Sequence, residues 1–165
     1  MPLFRIISRF FARILFGFRR HNAEVLKTPG PVLLVPNHVS WLDWWLVGIC
    51  LGEDWKFMVS STRADSHWLF RFIMRNRFTF PVDNASPFAV KEMAKFLQDG
   101  GRMVLFAEGR ISETGSLMKL FEGTGFLLEK TDAKIITCYQ RNAHRLPYSN
   151  HPGWKKTFPK VTVHF

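Results

Sequence analysis

With 165 residues, 47% of them hydrophobic, the chain has the length of one domain with a buried core. Its two cysteines, Cys50 and Cys138, exclude a disulfide framework and a zinc cluster, so a reducing compartment is expected. The net charge of +10 sits at the two ends, with five Arg and no acid in residues 1–20 and six Lys or Arg and no acid in residues 134–165. Such ends on a nearly neutral body point to an anionic surface as partner. Nucleic acid is the rival explanation of the charge, but no nucleic-acid-binding module is spelled in the chain.

Residues 1–20 place Leu3, Phe4, Ile7, Phe10, Phe11, Ile14, Leu15 and Phe18 on one side of a helix and Arg5, Arg9 and Arg13 on the other. Arg recurs every four residues, so no apolar run approaches the roughly 18 needed to cross a bilayer. No continuous apolar region with a cleavage site marks a signal peptide. An aromatic face backed by Arg is the composition of a helix lying in a membrane interface. A helix docked on its own domain is the alternative. The expected division is therefore an interface helix over 1–20 and a domain over 21–165.

Pro29-Gly30-Pro31 marks a turn, and Val32 to Val35 is an apolar strand that stops at Pro36. Ser40 reads as the N-cap of a helix running through Leu51 to Gly52. A strand is expected over 55–59, a helix over 66–75 and a short strand over 78–82. Ser86 and Pro87 open the next helix, with Val90, Met93, Ala94 and Leu97 on one face and Gly100-Gly101 at its end. A strand over 103–106, a helix over 123–130 and strands over 134–139 and 160–165 complete the pattern. Strands alternating with helices predict an α/β domain with a mostly parallel sheet flanked by helices. The chain stops inside its last predicted strand, which points to a longer parent.

Two strings carry chemistry: Asn37-His38-Val39-Ser40-Trp41-Leu42-Asp43 and Phe106-Ala107-Glu108-Gly109-Arg110-Ile111-Ser112. His38 follows a strand and so lies in the loop at its end, where α/β folds place reactive groups. Five residues along one helix would set two side chains about 140° apart. With His38 in the loop and Asp43 in the first turn, the carboxylate reaches back to the imidazole. Ser40-x-x-Asp43 also fits a capping box, in which Asp43 satisfies a backbone N–H. Trp41, Trp44 and Trp45 would wall an acyl groove, touch a membrane or pack in the core. His67, His144 and His151 have no ligand-like spacing.

These strings resemble the motifs of the glycerolipid acyltransferases, the PlsC-like lysophosphatidate acyltransferase superfamily. His38-x4-Asp43 looks like its catalytic motif, and Phe106 to Ser112 is similar to its third motif. The spelling Glu-Gly-Arg-Ile-Ser, with Gly115 to Lys119 and Glu122 to Gly125, looks closest to the acyltransferase domain of the bifunctional 2-acylglycerophosphoethanolamine acyltransferase/acyl-carrier-protein synthetase (Aas-like). The resemblance is strong over 32–43 and 104–125 and weak after 140. It implies transfer of a fatty acyl group from acyl carrier protein (ACP) or coenzyme A to the free hydroxyl of a lysophospholipid or lysophosphatidate. His38 would be the general base and Asp43 its orienting group. Glu108, Gly109, Arg110 and Lys119 would bind the acceptor. No metal or redox cofactor is implied; the thioester is a co-substrate. The implied partners are an anionic membrane surface, the lysolipid, the thioester carrier and a fused or associated acyl-ACP synthetase. The implied place is the cytoplasmic face of the cell membrane.

The chain departs from the pattern at Ala107, where Pro is usual, and at Arg110-Ile111, where Thr-Arg is commoner. Val82-Asp83-Asn84 stands where the second motif would read Ile-Asp-Arg, and Thr137 replaces the fourth motif's Pro. A non-catalytic lipid-binding module of the same fold is the competing reading, against which the intact His38 and Asp43 argue.

Overall fold

The computed structural model describes residues 2–65, 68, 71, 74–83, 86, 88–153 and 155–165. Helix α1 (Pro2–Phe16) leads into strand β1 (Arg19–His21) and a 3-10 turn over Ala23–Lys27. Then follow β2 (Val32–Pro36), α2 (Asp43–Gly48), β3 (Trp55–Ser60), α3 (Ser61–Asp65), β4 (Thr79–Val82), α4 (Ala89–Gln98) and β5 (Arg102–Val104). Helix α5 (Gly123–Lys130), β6 (Lys134–Arg141), a 3-10 turn at Ala143–Arg145 and β7 (Thr162–His164) close the chain.

The strands form one sheet in the order β1-β7-β6-β2-β5-β3-β4, parallel throughout except at β6–β7. Side chains of β2 alternate between the two faces, as strand geometry requires. Val32 and Leu34 join one core cluster with Leu46, Val47 and Phe16, so α1 and α2 lie on that side. Leu33 joins the other with Met93, Leu97 and Leu127, from α4 and α5. The α4–α5 layer stops short of β6, whose Ile135 and Tyr139 are exposed while Ile136, Cys138 and Gln140 are buried. This is the expected α/β domain with a mostly parallel sheet between helical layers.

Several boundaries differ from the sequence reading. Helix α2 begins at Asp43 and not at Ser40, because Ser40 Oγ turns to the N–H of Leu42 at 3.2 Å. It also ends at Gly48, short of Leu51. Helix α4 starts at Ala89; Ser86 Oγ still accepts the N–H of Phe88 at 3.2 Å, and Pro87 lies outside the described residues. The strand expected over 103–106 covers 102–104. The helix expected over 66–75 falls largely outside the described residues, as does His67.

The first helix ends at Phe16. Gly17 adopts a left-handed φ of 50°, a conformation that stops a helix at small cost only for glycine. Arg19 and Arg20 then enter β1, whose register Arg19↔Thr162 was not visible in the helical pattern. The helix docks by its small and basic side. Ser8, Ala12 and Phe16 are buried, and Arg5 and Arg9 donate to the carbonyls of Leu51 and Ile49. Leu3, Phe4, Ile7, Phe10, Phe11 and Ile14 all face outward. No helix among the described residues is long and apolar enough to cross a membrane.

The layering predicts a contrast. Leu97→Ala removes a fully buried side chain from the α4 layer and should lower stability by about 2–5 kcal/mol. Ile135→Ala, on the open face of β6, should change it by no more than about 0.5 kcal/mol. Urea midpoints at unchanged slope would measure both.

Candidate active site

Strand β2 pairs with β5 at Val32↔Arg102 and Leu34↔Val104, and both run in the same direction. Their following loops therefore leave the sheet side by side. One carries His38, the other Glu108 to Ser112. Reactive groups in open parallel sheets collect at this C-terminal edge.

His38 is held on every side. Its Nδ1 lies 2.9 Å from Asp43 Oδ2, and its ring stacks on Phe106 with centroids 4.3 Å apart. Its backbone N–H donates to Glu108 Oε1 at 2.7 Å, and its carbonyl accepts the N–H of Ser112 at 2.7 Å. The preceding residue is fixed by β6: Asn37 Oδ1 accepts the N–H of Gln140 at 2.7 Å, and Gln140 Nε2 donates to the Asn37 carbonyl at 3.0 Å. With Nδ1 facing a carboxylate, that nitrogen carries the proton and Nε2 keeps its lone pair.

Asp43 is fully buried. Its Oδ2 also accepts the N–H groups of Val39 at 2.6 Å and Ser40 at 2.8 Å. The orienting and capping roles therefore coexist on one oxygen. Only half of the capping box forms, since Ser40 Oγ goes to Leu42. Burial pushes the Asp43 carboxyl above its ordinary range, against the pull of the His38 hydrogen bond and charge and of the two backbone donors.

Glu108 is buried, and both of its oxygens are taken by backbone. Oε1 holds His38 and Oε2 accepts the N–H of Met118 at 3.0 Å. Gly109 has a φ of 69°, with nothing near the position a Cβ would occupy, so its glycine serves the turn. Arg110 is exposed on the same turn. Lys119 is 83% exposed and pairs with Glu122 at 3.0 Å, an ion pair of little energetic weight. Ser112, fully buried, donates from Oγ to the Ser116 carbonyl at 2.8 Å and closes the loop on itself.

The sequence reading missed Gln140 and Ser112 as parts of the site. Their signals were a polar residue at an inward position of an alternating strand, and a serine at the end of the third motif. A cavity of about 600 Å³ lies elsewhere, where Leu26, Cys50, Trp55 and Arg102 meet at the start of β5, and contains none of these groups.

The Acyltransferase family pattern matches residues 17–141. The chain is 35% identical over 116 residues to a lyso-ornithine lipid O-acyltransferase of Brucella abortus (strain 2308), a match covering 66% of this chain and 42% of that protein. The chain thus aligns with less than half the length of this relative. Its fold matches the crystal structure of the 1-acyl-sn-glycerophosphate (LPA) acyltransferase PlsC from Thermotoga maritima with a TM-score of 0.73 at 17% identity, over 97% of this chain and 64% of that one. The motif spacing, the fold and the family match agree, and the chain belongs to the Acyltransferase family.

Proposed function

We propose that the protein transfers a fatty acyl group from an acyl-ACP or acyl-coenzyme A thioester to the free hydroxyl of a lysolipid. The observation that carries this reading is the His38–Asp43 contact at 2.9 Å, with Nδ1 turned to the carboxylate and Nε2 left for substrate. His38 Nε2 takes the hydroxyl proton as the acceptor oxygen attacks the thioester carbonyl. The tetrahedral intermediate collapses, the C–S bond breaks, and the leaving thiolate takes the proton back from the imidazolium. Asp43 holds the ring and stabilises its transient charge, the role such a carboxylate plays in other His-based sites. The chemistry asks for no metal or redox cofactor.

Glu108 acts here as a positioning group for the base, because both oxygens are engaged by the backbone of the two loops. Arg110 is the cation best placed to meet the acceptor, since it extends from the turn that brackets His38 and suits bidentate binding of phosphate or carboxylate. A lysophospholipid or lysophosphatidate is the first acceptor proposed. A lyso-ornithine lipid is the second, favoured by the 35% identical relative of that specificity and by Asn84 in place of the second motif's Arg. An ornithine headgroup carries a carboxylate and an amine and no phosphate. The spelling of the third motif supports a likeness to the Aas-like acyltransferase domains, and with it an acyl-ACP synthetase as fused or associated partner. The working place proposed is an anionic membrane surface on the cytoplasmic side of the cell membrane.

Turnover of a labelled thioester with a panel of lysolipids tests the whole reading; a folded protein that consumes none of them would sink it. His38→Ala should lower kcat by about 10²–10⁴-fold without unfolding the domain. Asp43→Asn should cost a similar factor and also flatten the pH dependence of stability. The folded state holds the Asp43 proton more tightly than the unfolded chain, so the wild type loses stability as pH rises from the ordinary carboxyl value to the raised one. The variant lacks that slope, which urea midpoints across the window would reveal.

Glu108→Gln turns one donor against another and should cost about 1–3 kcal/mol of stability. Its kinetic loss should fall on kcat and leave acceptor KM within about twofold. A selective rise in acceptor KM would return Glu108 to a binding role. Arg110→Lys should do the opposite, raising acceptor KM several-fold with thioester KM unchanged, because a point charge loses the bidentate fork.

A further inference from the structure

Helix α1 touches α2 and the turn that follows it at three points. Its contacts run in reverse order over α2 and the turn that follows it. Arg5 donates to the Leu51 carbonyl, Arg9 Nε to the Ile49 carbonyl at 2.5 Å, and the Phe16 ring meets Trp45 edge-on at 6.3 Å. Carbonyls at the end of a helix lack intrahelical partners and carry the negative end of its dipole. A guanidinium answers both needs. Beyond Phe16 the seat continues in the backbone, where the N–H of Val161 donates to the Phe16 carbonyl at 2.9 Å.

Helix α2 has only six residues, and the first of them is Asp43. At 1.5 Å per residue, roughly 9 Å of helical backbone separates the Arg9 contact at Ile49 from the carboxylate that holds His38, and the Arg5 contact lies in the turn beyond. A stiff element of that length transmits a displacement of one end to the other.

The opposite face of α1 exposes Leu3, Phe4, Ile7, Phe10, Phe11 and Ile14. A contiguous apolar face of this kind marks an interaction site. Its fitting occupant is a lipid surface. The helix carries no acid, exposed Arg13 lies in its last turn, exposed Arg19 and Arg20 follow it, and it is too short to span the hydrocarbon core.

We propose that Arg5 and Arg9 are positioning residues that mortise α1, lipid face outward, onto the end of α2, so that the bilayer contact and the Asp43–His38 pair move as one rigid unit. The kinetic part of this rests on the acyl-transfer reading above, and the geometric part does not. These two arginines serve the protein's own carbonyls, and the lipid contact is left to the aromatic side, the face that the sequence pattern assigns to the interface.

The test is the Arg5→Met, Arg9→Met double variant, which keeps most of each aliphatic stem and removes the donors. Three readouts are compared with wild type: flotation with phosphatidylcholine–phosphatidylglycerol vesicles, kcat and KM on detergent-dispersed lysolipid, and the His38 titration followed by NMR. Flotation should stay within twofold, because the outward face is untouched. The kcat in detergent should fall at least tenfold with thioester KM within twofold, and the His38 titration midpoint should move. Arg5→Lys with Arg9→Lys should recover part of kcat, since a cation remains at the carbonyls. Should the Met pair not fold, Arg9→Met alone carries the same expectation at a threefold loss of kcat. Wild-type kcat in detergent with an unmoved His38 titration would overturn the proposal and leave α1 as a plain anchor. Lost flotation would overturn it in another way, by showing that the arginines face lipid. A wild-type protein without acyl transfer would sink the functional reading alone, leaving flotation and titration to judge the mortise.

Discussion

Three N–H donors converge on a single oxygen, Asp43 Oδ2: the imidazole Nδ1–H of His38 and the backbone groups of Val39 and Ser40. A fully buried carboxyl is expensive to ionise, and these donors offset only part of that cost, since burial still holds the Asp43 carboxyl above its ordinary range. The same bonds fold the loop after β2 tightly enough for α2 to start at Asp43. They also set the tautomer that leaves Nε2 available. Chain geometry, helix start and the orientation of the imidazole are thus consequences of one acceptor atom.

The loop would still pivot about Asp43 if its backbone were free. It is not, because the parallel order of the sheet places β5 and β6 on either side of β2. From the loop after β5 come Glu108, which accepts the N–H of His38, and Ser112, whose N–H donates to the His38 carbonyl. From β6 comes Gln140, which takes both the side chain and the carbonyl of Asn37. Residues 70 and 103 positions away in sequence therefore fix two successive residues of one loop. Parallel pairing makes this possible, since it brings the loop after each strand to the same edge of the sheet. The departure of Ala107 from the motif's Pro fits here without strain. Ala107 is buried, and its carbonyl accepts the N–H of Phe121 at 2.6 Å, so the turn is pinned by a hydrogen bond.

How much of this was legible in the sequence varied with the range of the interaction. Strand β2, helix α5 and the pairing of His38 with Asp43 rest on local pattern or on neighbours within one turn, and they stand as expected. Strand β1 was hidden because Arg19 and Arg20 extend the helical rhythm of residues 1–18. Only the partner strand β7, from the far end of the chain, draws them into the sheet. The start of α2 moves from the Ser40 cap to Asp43 because Ser40 Oγ turns to the N–H of Leu42 while the Asp43 carboxylate gathers His38, Val39 and Ser40. Glu108 shows the same limit. Its residue type and motif suggest a binding carboxylate, yet the two N–H groups that occupy it come from loops whose approach no spacing rule describes.

The orientation of α1 turns on comparative magnitudes. Each Arg near an anionic leaflet is worth roughly 1 kcal/mol, and that attraction fades within a Debye length of about 8 Å at physiological salt. Each large apolar side chain taken fully out of water is worth roughly 1.5–3 kcal/mol, with no loss to salt. Turning the arginines outward would gain the smaller, screened contribution and leave the carbonyls of Ile49 and Leu51 without donors. It would also turn the buried Ser8, Ala12 and Phe16 of α1 outward and press the aromatic side against the domain in their place. Turning them inward satisfies the carbonyls and leaves the larger contribution for the bilayer. A helix whose exposed side carries Leu3, Phe4, Ile6, Ile7, Phe10, Phe11, Ile14 and Leu15 therefore gains most with Arg5 and Arg9 on the protein. The amphipathic pattern alone could not decide this, because it fixes two faces and says nothing of which one meets the domain.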